Sequence, residues 1–230
     1  MTVADWREVA ATANKAFLLA FPSLFAIINP IGVALIFDGF MRNFAGEDRV
    51  KVASLVGLYS LLIMFGALWS GAYILNFFGV SLEALRIAGG TVVALSAWQL
   101  LTSGEPRAER MSREPPEEGV SGDPLNLAFF PLTLPLTTGP GTIAVAITLG
   151  AERPASGEGL LAFFLGASLA AVANAVIISI AYRYSDRVTG LMSAAARSVV
   201  SRLSAFLLMC IGVQILVTAV GDLVTKWRFM

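Results

Sequence analysis

The sequence predicts an all-α membrane protein with six transmembrane helices, arranged as two inverted three-helix repeats in which helices 1 and 4 are broken. Three observations carry this prediction. Of the 230 residues, 57% are hydrophobic and 14% are charged, and the mean hydropathy of +0.76 exceeds that of ordinary soluble domains. Six long uncharged runs form two sets of three, separated by a polar loop. Helix-breaking prolines within these runs occur only in the first run of each set.

Composition also excludes several classes of function. The 16 basic and 16 acidic residues cancel, so the chain offers no basic surface to a nucleic acid. There is no His, and the single Cys210 lies in an apolar run. Disulfides, His-based metal sites and catalytic groups of the Ser-His-Asp or Cys-His type are therefore excluded. We expect a protein that is not an enzyme and that carries no cofactor.

Each of the six uncharged runs is long enough to cross a membrane, since a helix needs about 20 residues to span the hydrocarbon core. In lipid every backbone polar group needs an internal partner. These runs must therefore be helices, or broken helices where protein or water covers the break. The predicted spans cover residues 16–37, 52–82, 87–104, 124–151, 159–182 and 203–221.

The longest predicted loop, residues 103–123, is rich in Glu, Arg and Pro and divides the spans into two sets of three. The segments on its side of the membrane carry ten basic residues, against six on the other side. Because Lys and Arg are enriched in cytoplasmic loops, this bias predicts that both termini lie outside and that the loop is a mobile cytoplasmic linker. The three predicted units are residues 1–102, 103–123 and 124–230.

A duplicated three-span unit must insert with opposite topology the second time, so two such halves would be inverted repeats. Pro30 and Pro140 occupy the first span of each half, and IAGGTVVALSAWQLLT in span three resembles LSAFLLMCIGVQILVT in span six. The positions of the prolines are more specific evidence of repetition than this sequence similarity. The prolines inside spans are confined to spans one and four, and they are Pro22, Pro30, Pro131, Pro135 and Pro140.

The motifs NPIG (residues 29–32) and GPG (residues 139–141) should interrupt spans one and four. A proline inside a helix removes a hydrogen bond and clashes with the preceding turn, which costs roughly 3 kcal/mol, and adjacent glycines ease unwinding. The N-terminus of one half-helix can then hold a carboxylate, while free carbonyls at the end of another can hold an ammonium or a metal cation. Paired breaks of this kind are typical of a transport site.

The polar residues near the two breaks are uncharged, which favours a small neutral zwitterion as the ligand. The predicted substrate-binding residues are Asn29, Pro30, Gly32, Thr137, Thr138, Gly139, Pro140, Gly141 and Thr142. A structural interpretation stays open for these residues, because a proline can simply kink a membrane helix. A threonine can likewise bond the carbonyl four residues before it.

Asp38 has two interpretations. It is either an intramembrane carboxylate that carries a coupling proton or cation, or the interfacial end of span one. In the second case it can pair with Arg42, four residues later.

Span five carries small residues at four-residue spacing. Gly166 and Ala170 are followed by Asn174 on the same helix face. This pattern predicts a close-packing seam with a polar clasp.

The motifs NPIG, PLTLPLTTGPGTIA, IAGG and IGVQILVTAV resemble those of the MarC family of integral membrane proteins, which includes small neutral amino acid transporters of the SnatA type. The resemblance covers nearly all of the chain apart from its termini and central loop. It implies a multi-pass protein of the cytoplasmic (inner) membrane of a prokaryote, with inverted repeats and a substrate site at the discontinuities. The matching site residues are Asn29, Pro30, Gly32, Thr138, Gly139, Pro140 and Gly141. The chain departs from the family pattern at Leu35, where a second proline is usual, and at Asp38, where an apolar residue is common.

The leading hypothesis is a secondary transporter of glycine, alanine and serine that works by alternating access. No nucleotide-binding motif is present, so the driving force is the substrate gradient or a coupled proton or sodium gradient. The alternative is an aquaporin-like channel, but such pores carry Asn-Pro-Ala in both halves. A membrane scaffold would not need paired breaks. The expected partners are the amino acid and the lipid bilayer, with no nucleic acid and with a homo-oligomer left open.

Overall fold

The computed structural model of the protein describes residues 3–102, 124–154 and 158–228. The predicted linker, residues 103–123, lies outside the described residues. Within the described ranges the chain forms helices joined by short turns. The helices are α1 (Val3–Ile28), α2 (Pro30–Met41), α3 (Gly46–Phe77), α4 (Leu82–Thr102), α5 (Ala128–Thr137), α6 (Pro140–Ala151), α7 (Glu158–Arg183), α8 (Ser185–Leu191) and α9 (Ala194–Arg228).

Five helical stretches of the described chain are long and apolar enough to cross a membrane, and α1 with α2 forms the first of them. A sixth is obtained if α5 and α6, which meet at a bend of 66°, count as one span. Large apolar side chains such as Leu62, Leu165 and Leu207 are exposed on the helix surfaces, where lipid would contact them. The all-α membrane class is therefore confirmed. A total of six spans is reached only if α5 and α6 are counted together as one span.

The chain between α1 and α2 departs from helical geometry at one residue. Asn29 adopts a left-handed conformation with φ 49° and ψ 62°, which Asn tolerates because its short side chain bonds locally. Pro30 occupies the first position of α2, where its missing N–H costs nothing. The backbone of Asn29 still donates to the Phe25 carbonyl at 3.0 Å. Pro22, by contrast, remains inside α1.

The first half of the fourth span differs from the regular half-helix that its position predicts. α5 has wide π-helical turns, and the Thr138 amide bonds the Thr133 carbonyl five residues before it, at 2.8 Å. Phe130 and Leu134 have extended φ/ψ values. Each precedes a proline, and a residue before proline is disfavoured in the α region. The peptide bonds to both prolines are cis.

Two close helix contacts organise the bundle. α4 packs along α9, and a Cβ on Gly90 would lie 3.0 Å from the Gly212 carbonyl oxygen. α1 packs along α7, where a Cβ on Gly166 would collide with the Ala13 carbonyl. On the same seam the Asn174 amide donates to the Phe21 carbonyl at 3.3 Å. The seam and polar clasp predicted for span five are therefore confirmed.

The remaining contacts place the short helices inside the bundle. α3 packs against α5, α6 and α7. α6 also contacts α1 and α4, and α2 contacts α5, α7, α8 and α9. Both short helices therefore pack against several of the longer helices.

Candidate functional site

A cavity of about 240 Å³ lies beside the chain between α5 and α6, and α1, α2 and α4 also contribute to its lining. We call it the Pro140 cavity. Its volume is close to the lower end of small-molecule pockets, about 300 Å³, so it suits a small ligand. None of the described residues that line it is charged. The lining residues are Ile27, Ile28, Val33, Ile36, Val92, Val93, Ser96, Ala97, Leu100, Pro135, Leu136, Thr137, Gly139, Pro140, Gly141, Thr142 and Leu208.

Five of the predicted substrate-binding residues line the Pro140 cavity, and four do not. Those that line it all come from the fourth span: Thr137, Gly139, Pro140, Gly141 and Thr142. Those that the lining does not include are Asn29, Pro30, Gly32 and Thr138. The first span reaches the cavity instead through the apolar residues on either side of its interruption.

The N-terminus of α6 opens directly onto this cavity. Gly139 precedes the helix in an extended conformation and supplies no capping side chain, and Pro140 has no N–H. The amides of Gly141 and Thr142 belong to the first turn, where no intrahelical acceptor exists. Both residues line the cavity. Free amides and the positive end of the helix dipole make this position suitable for a carboxylate.

The N-terminus of α2 is closed by its own side chain. The Oδ1 atom of Asn29 accepts a hydrogen bond from the Gly32 amide at 3.3 Å. A Cβ on Gly32 would collide with the Asn29 side-chain amide, so a small residue is needed for this cap to form. Asn29 therefore caps α2 and forms the left-handed turn. The N-terminus of α2 has a side-chain cap, whereas the N-terminus of α6 has none.

Both glycines of GPG are fixed by close contacts. A Cβ on Gly139 would lie 2.5 Å from the Pro135 carbonyl oxygen. A Cβ on Gly141 would collide with Cγ2 of Val93 and would lie 3.5 Å from Cδ1 of Ile27. Any larger residue at these positions must move backbone or displace the cavity wall.

The threonines of the fourth span bond carbonyls five residues back instead of four, because α5 is wider than an α-helix. Thr133 Oγ1 donates to the Ala128 carbonyl at 2.6 Å, and Thr137 Oγ1 to the Leu132 carbonyl at 2.6 Å. The Thr138 hydroxyl is buried and has no hydrogen-bond partner in the described structure. Within the described chain, Thr138 therefore provides a buried hydroxyl without a hydrogen-bond partner between α5 and α6.

Tyr182 is a contact residue that sequence reasoning missed. Its fully buried hydroxyl lies 2.6 Å from Thr137 Oγ1, and its ring stacks on Phe37 of α2 with centroids 4.6 Å apart. Tyr182 therefore links both interrupted spans to α7. The sequence does place Tyr182 near the end of an apolar span, and a buried Tyr hydroxyl usually has a hydrogen-bond partner.

Asp38 pairs with Arg49 and not with Arg42. Its Oδ1 lies 2.6 Å from Nη2 of Arg49, and its Oδ2 accepts a hydrogen bond from Thr189 Oγ1 at 2.9 Å. Arg49 also donates to Ser185 Oγ at 3.1 Å. Asp38 is buried, with 7% of its surface exposed, and it does not line the Pro140 cavity. The predicted pairing with Arg42 is wrong because the first turn of α3 brings Arg49 onto α2.

A second cavity, of about 310 Å³, lies between α1, α6 and α9. We call it the Arg86 cavity. It shares no lining residue with the Pro140 cavity. Its lining residues are Leu19, Ser23, Ala26, Arg86, Ala144, Val145, Thr148, Leu149, Glu152, Ile211, Gln214, Ile215 and Thr218.

Comparison with known proteins identifies relatives over almost the whole chain. A family model described as MarC family integral membrane protein matches residues 14–224. The inner membrane protein MarC of Salmonella paratyphi A is 31% identical over 216 residues, which cover 93% of this chain and 98% of the relative. The protein of the same name from Citrobacter koseri is 30% identical over 221 residues, covering 93% and 98%. No solved structure matches the chain. The resemblance seen in the motifs is confirmed, and the chain belongs to the MarC family of integral membrane proteins.

Proposed function

We propose that the protein is a secondary transporter of small neutral amino acids, such as glycine, alanine and serine. The observation that carries this proposal is the Pro140 cavity, which is small, uncharged and lined by residues from both interrupted spans. The substrate carboxylate binds the free amides of Gly141 and Thr142 at the N-terminus of α6. The apolar walls leave no room for a bulky side chain and offer no partner to a charged one.

The arrangement of the helices supports inverted repeats. α2 and α6 are both 12 residues long and both begin with a proline at the first helical position. If α1 corresponds to α5 and α3 to α7, the packing of α1 on α7 has its counterpart in the packing of α5 on α3. The packing of α6 on α3 likewise has its counterpart in that of α2 on α7. α4 and α9 then correspond to each other and pack together.

The two cavities follow the same correspondence. The Pro140 cavity is lined mainly by α4, α5 and the start of α6, with two residues each from α1 and α2, while the Arg86 cavity is lined mainly by α1, α6 and α9. Gly141, which lines the Pro140 cavity, packs on Val93 and Ile27. Two cavities that share no lining residue favour alternating access over a continuous aquaporin-like channel.

The membrane of residence and the orientation belong to the same proposal. The relatives are named inner membrane proteins, which supports the inner membrane of a prokaryote for this chain. The excess of basic residues on one side supports external termini. A proton or sodium gradient, or the substrate gradient itself, drives the movement.

Uptake of labelled glycine and alanine into reconstituted vesicles tests the proposal, with an imposed proton or sodium gradient. We expect saturable uptake that is lost in Gly139→Leu, because the new side chain collides with the Pro135 carbonyl at the binding position. Gly66→Leu is the matched control, since Gly66 is exposed and a Cβ there meets nothing within 4 Å. Wild-type vesicles that take up no small amino acid, but pass water or glycerol rapidly, would establish the channel instead.

A further inference from the structure

Two charged side chains, Arg86 and Glu152, line the Arg86 cavity, and Arg86 also pairs with Asp222, which is not among the lining residues. Nη1 of Arg86 lies 2.7 Å from Oδ2 of Asp222, which is a short charge-assisted hydrogen bond. Nη2 of Arg86 lies 3.3 Å from Oε1 of Glu152, which is a long one. The side chains of Glu152 and Asp222 are similarly exposed, at 43% and 48%. Because its contact with Arg86 is the longer one, Glu152 is the partner that can separate from Arg86 at the lower cost.

Deeper in the same cavity is a hydroxyl group without a partner. Thr148 lies one turn before Glu152 on α6, and both line the cavity. The Oγ1 atom of Thr148 is buried and has no hydrogen-bond partner in the described structure. Native proteins leave few buried polar atoms unpaired, and an unpaired hydroxyl costs free energy that a ligand can recover. Gln214 and Thr218 of α9 add further polar groups to the lining.

We propose that the Arg86 cavity is a second binding site for a small zwitterionic amino acid. The ligand inserts at the long Arg86–Glu152 contact, so that its carboxylate binds Arg86 and its ammonium binds Glu152. Thr148 donates its hydroxyl hydrogen to the ligand carboxylate. A zwitterion supplies an acceptor to Nη2 of Arg86 and a cation to Glu152, and it adds no net charge. A simple carboxylate leaves Glu152 without a cation, and a simple amine leaves Nη2 of Arg86 without an acceptor.

The choice of an amino acid as the ligand rests on the proposed transport function, but the Arg86 cavity is a separate binding location. Its lining comes mainly from α6, α1 and α9, and none of its lining residues lines the Pro140 cavity. Each chain therefore holds two amino acids when saturated.

Equilibrium binding of radiolabelled alanine to the purified full chain in detergent tests the second site. Wild-type protein should bind two alanines per chain, and Gly139→Leu should retain only the one in the Arg86 cavity. Glu152→Gln should weaken binding of this alanine by about tenfold or more, and Thr148→Val by roughly two- to tenfold, as expected for a charged and a neutral hydrogen bond. Ethylamine and propionate should compete poorly at this site.

Two controls separate binding from folding. Thr148→Val replaces an unpaired hydroxyl with a methyl group, so its melting temperature should equal or exceed that of the wild type. Thr91→Val should leave both affinities unchanged, because Thr91 lines neither cavity and its hydroxyl bonds the Ile87 carbonyl at 2.7 Å.

The outcomes distinguish the two proposals. One alanine per chain, lost in Gly139→Leu but unaffected by Glu152→Gln and Thr148→Val, would overturn the second site and leave the transport proposal standing. Ethylamine or propionate binding as tightly as alanine would overturn the zwitterion assignment. A folded wild-type chain that binds no small amino acid would overturn both.

Discussion

Asn29 combines a left-handed backbone with a side-chain cap, and these two roles can be separated by substitution. Asn29→Gly keeps the left-handed turn at little cost and loses the cap, which costs a few tenths of a kcal/mol. Asn29→Ala loses the cap and keeps a Cβ in the left-handed region without the polar side chain that makes this conformation tolerable for Asn, so we expect a loss of about 2 kcal/mol. Thermal unfolding in detergent measures both.

Transport kinetics test whether Asn29 also contacts substrate. Because Asn29 does not line the Pro140 cavity, Asn29→Gly should keep the wild-type KM for alanine. A large rise in KM without a loss of stability would return Asn29 to the substrate-binding role that its motif predicts. Equal stability of the Ala and Gly variants would refute the left-handed constraint.

At the same scale, the Asp38–Arg49 pair is buried and satisfied, which favours a structural role for Asp38. Removing one member of a buried ion pair leaves the other charge unpaired, so Asp38→Asn should destabilise the protein by about 3 kcal/mol. The double variant Asp38→Asn with Arg49→Gln should recover part of that loss. The ratio of gradient-driven accumulation to exchange should stay unchanged in the double variant, whereas a coupling carboxylate would lose accumulation and spare exchange.

At the scale of the elements, the helix boundaries at Pro30 and Pro140 could be predicted, and the conformation of the segments before them could not. Pro30 and Pro140 begin helices, as proline chemistry requires, and the glycines around them meet close contacts. The irregular course of α5 depends on two X-Pro steps followed by burial against α3, which no local pattern describes. The partner of Asp38 likewise depended on tertiary contact, because Arg49 and Thr189 lie on other helices.

At the scale of the whole molecule, membrane class and family could be inferred from composition and motifs, but the division of the interior into two cavities could not. Beside the Pro140 cavity, α1, α4 and α6 meet at a crossing formed by Ile27, Val93 and Gly141. Val93 fills the space left by the absent side chain of Gly141, and Ile27 closes the third side. Because Ile27, Val93 and Gly141 belong to different spans, no pattern within a single span predicts their contact.

This crossing is where movement between the two cavities should be controlled, and a pair of complementary substitutions tests it. Gly141→Ala drives a methyl group into Val93 Cγ2, and overpacking of this kind costs about 1 to 3 kcal/mol. If relief of the contact accompanies transport, alanine flux in vesicles should fall roughly tenfold. Val93→Ala in the same chain removes the opposing methyl groups and should restore flux to within about threefold of the wild type, since the volume at the crossing is again nearly conserved. Val199→Ala, at an exposed position on α9, should restore nothing. A double variant as slow as Gly141→Ala alone would show that the Val93 contact is a passive wall, and control of transport would then lie elsewhere in the bundle.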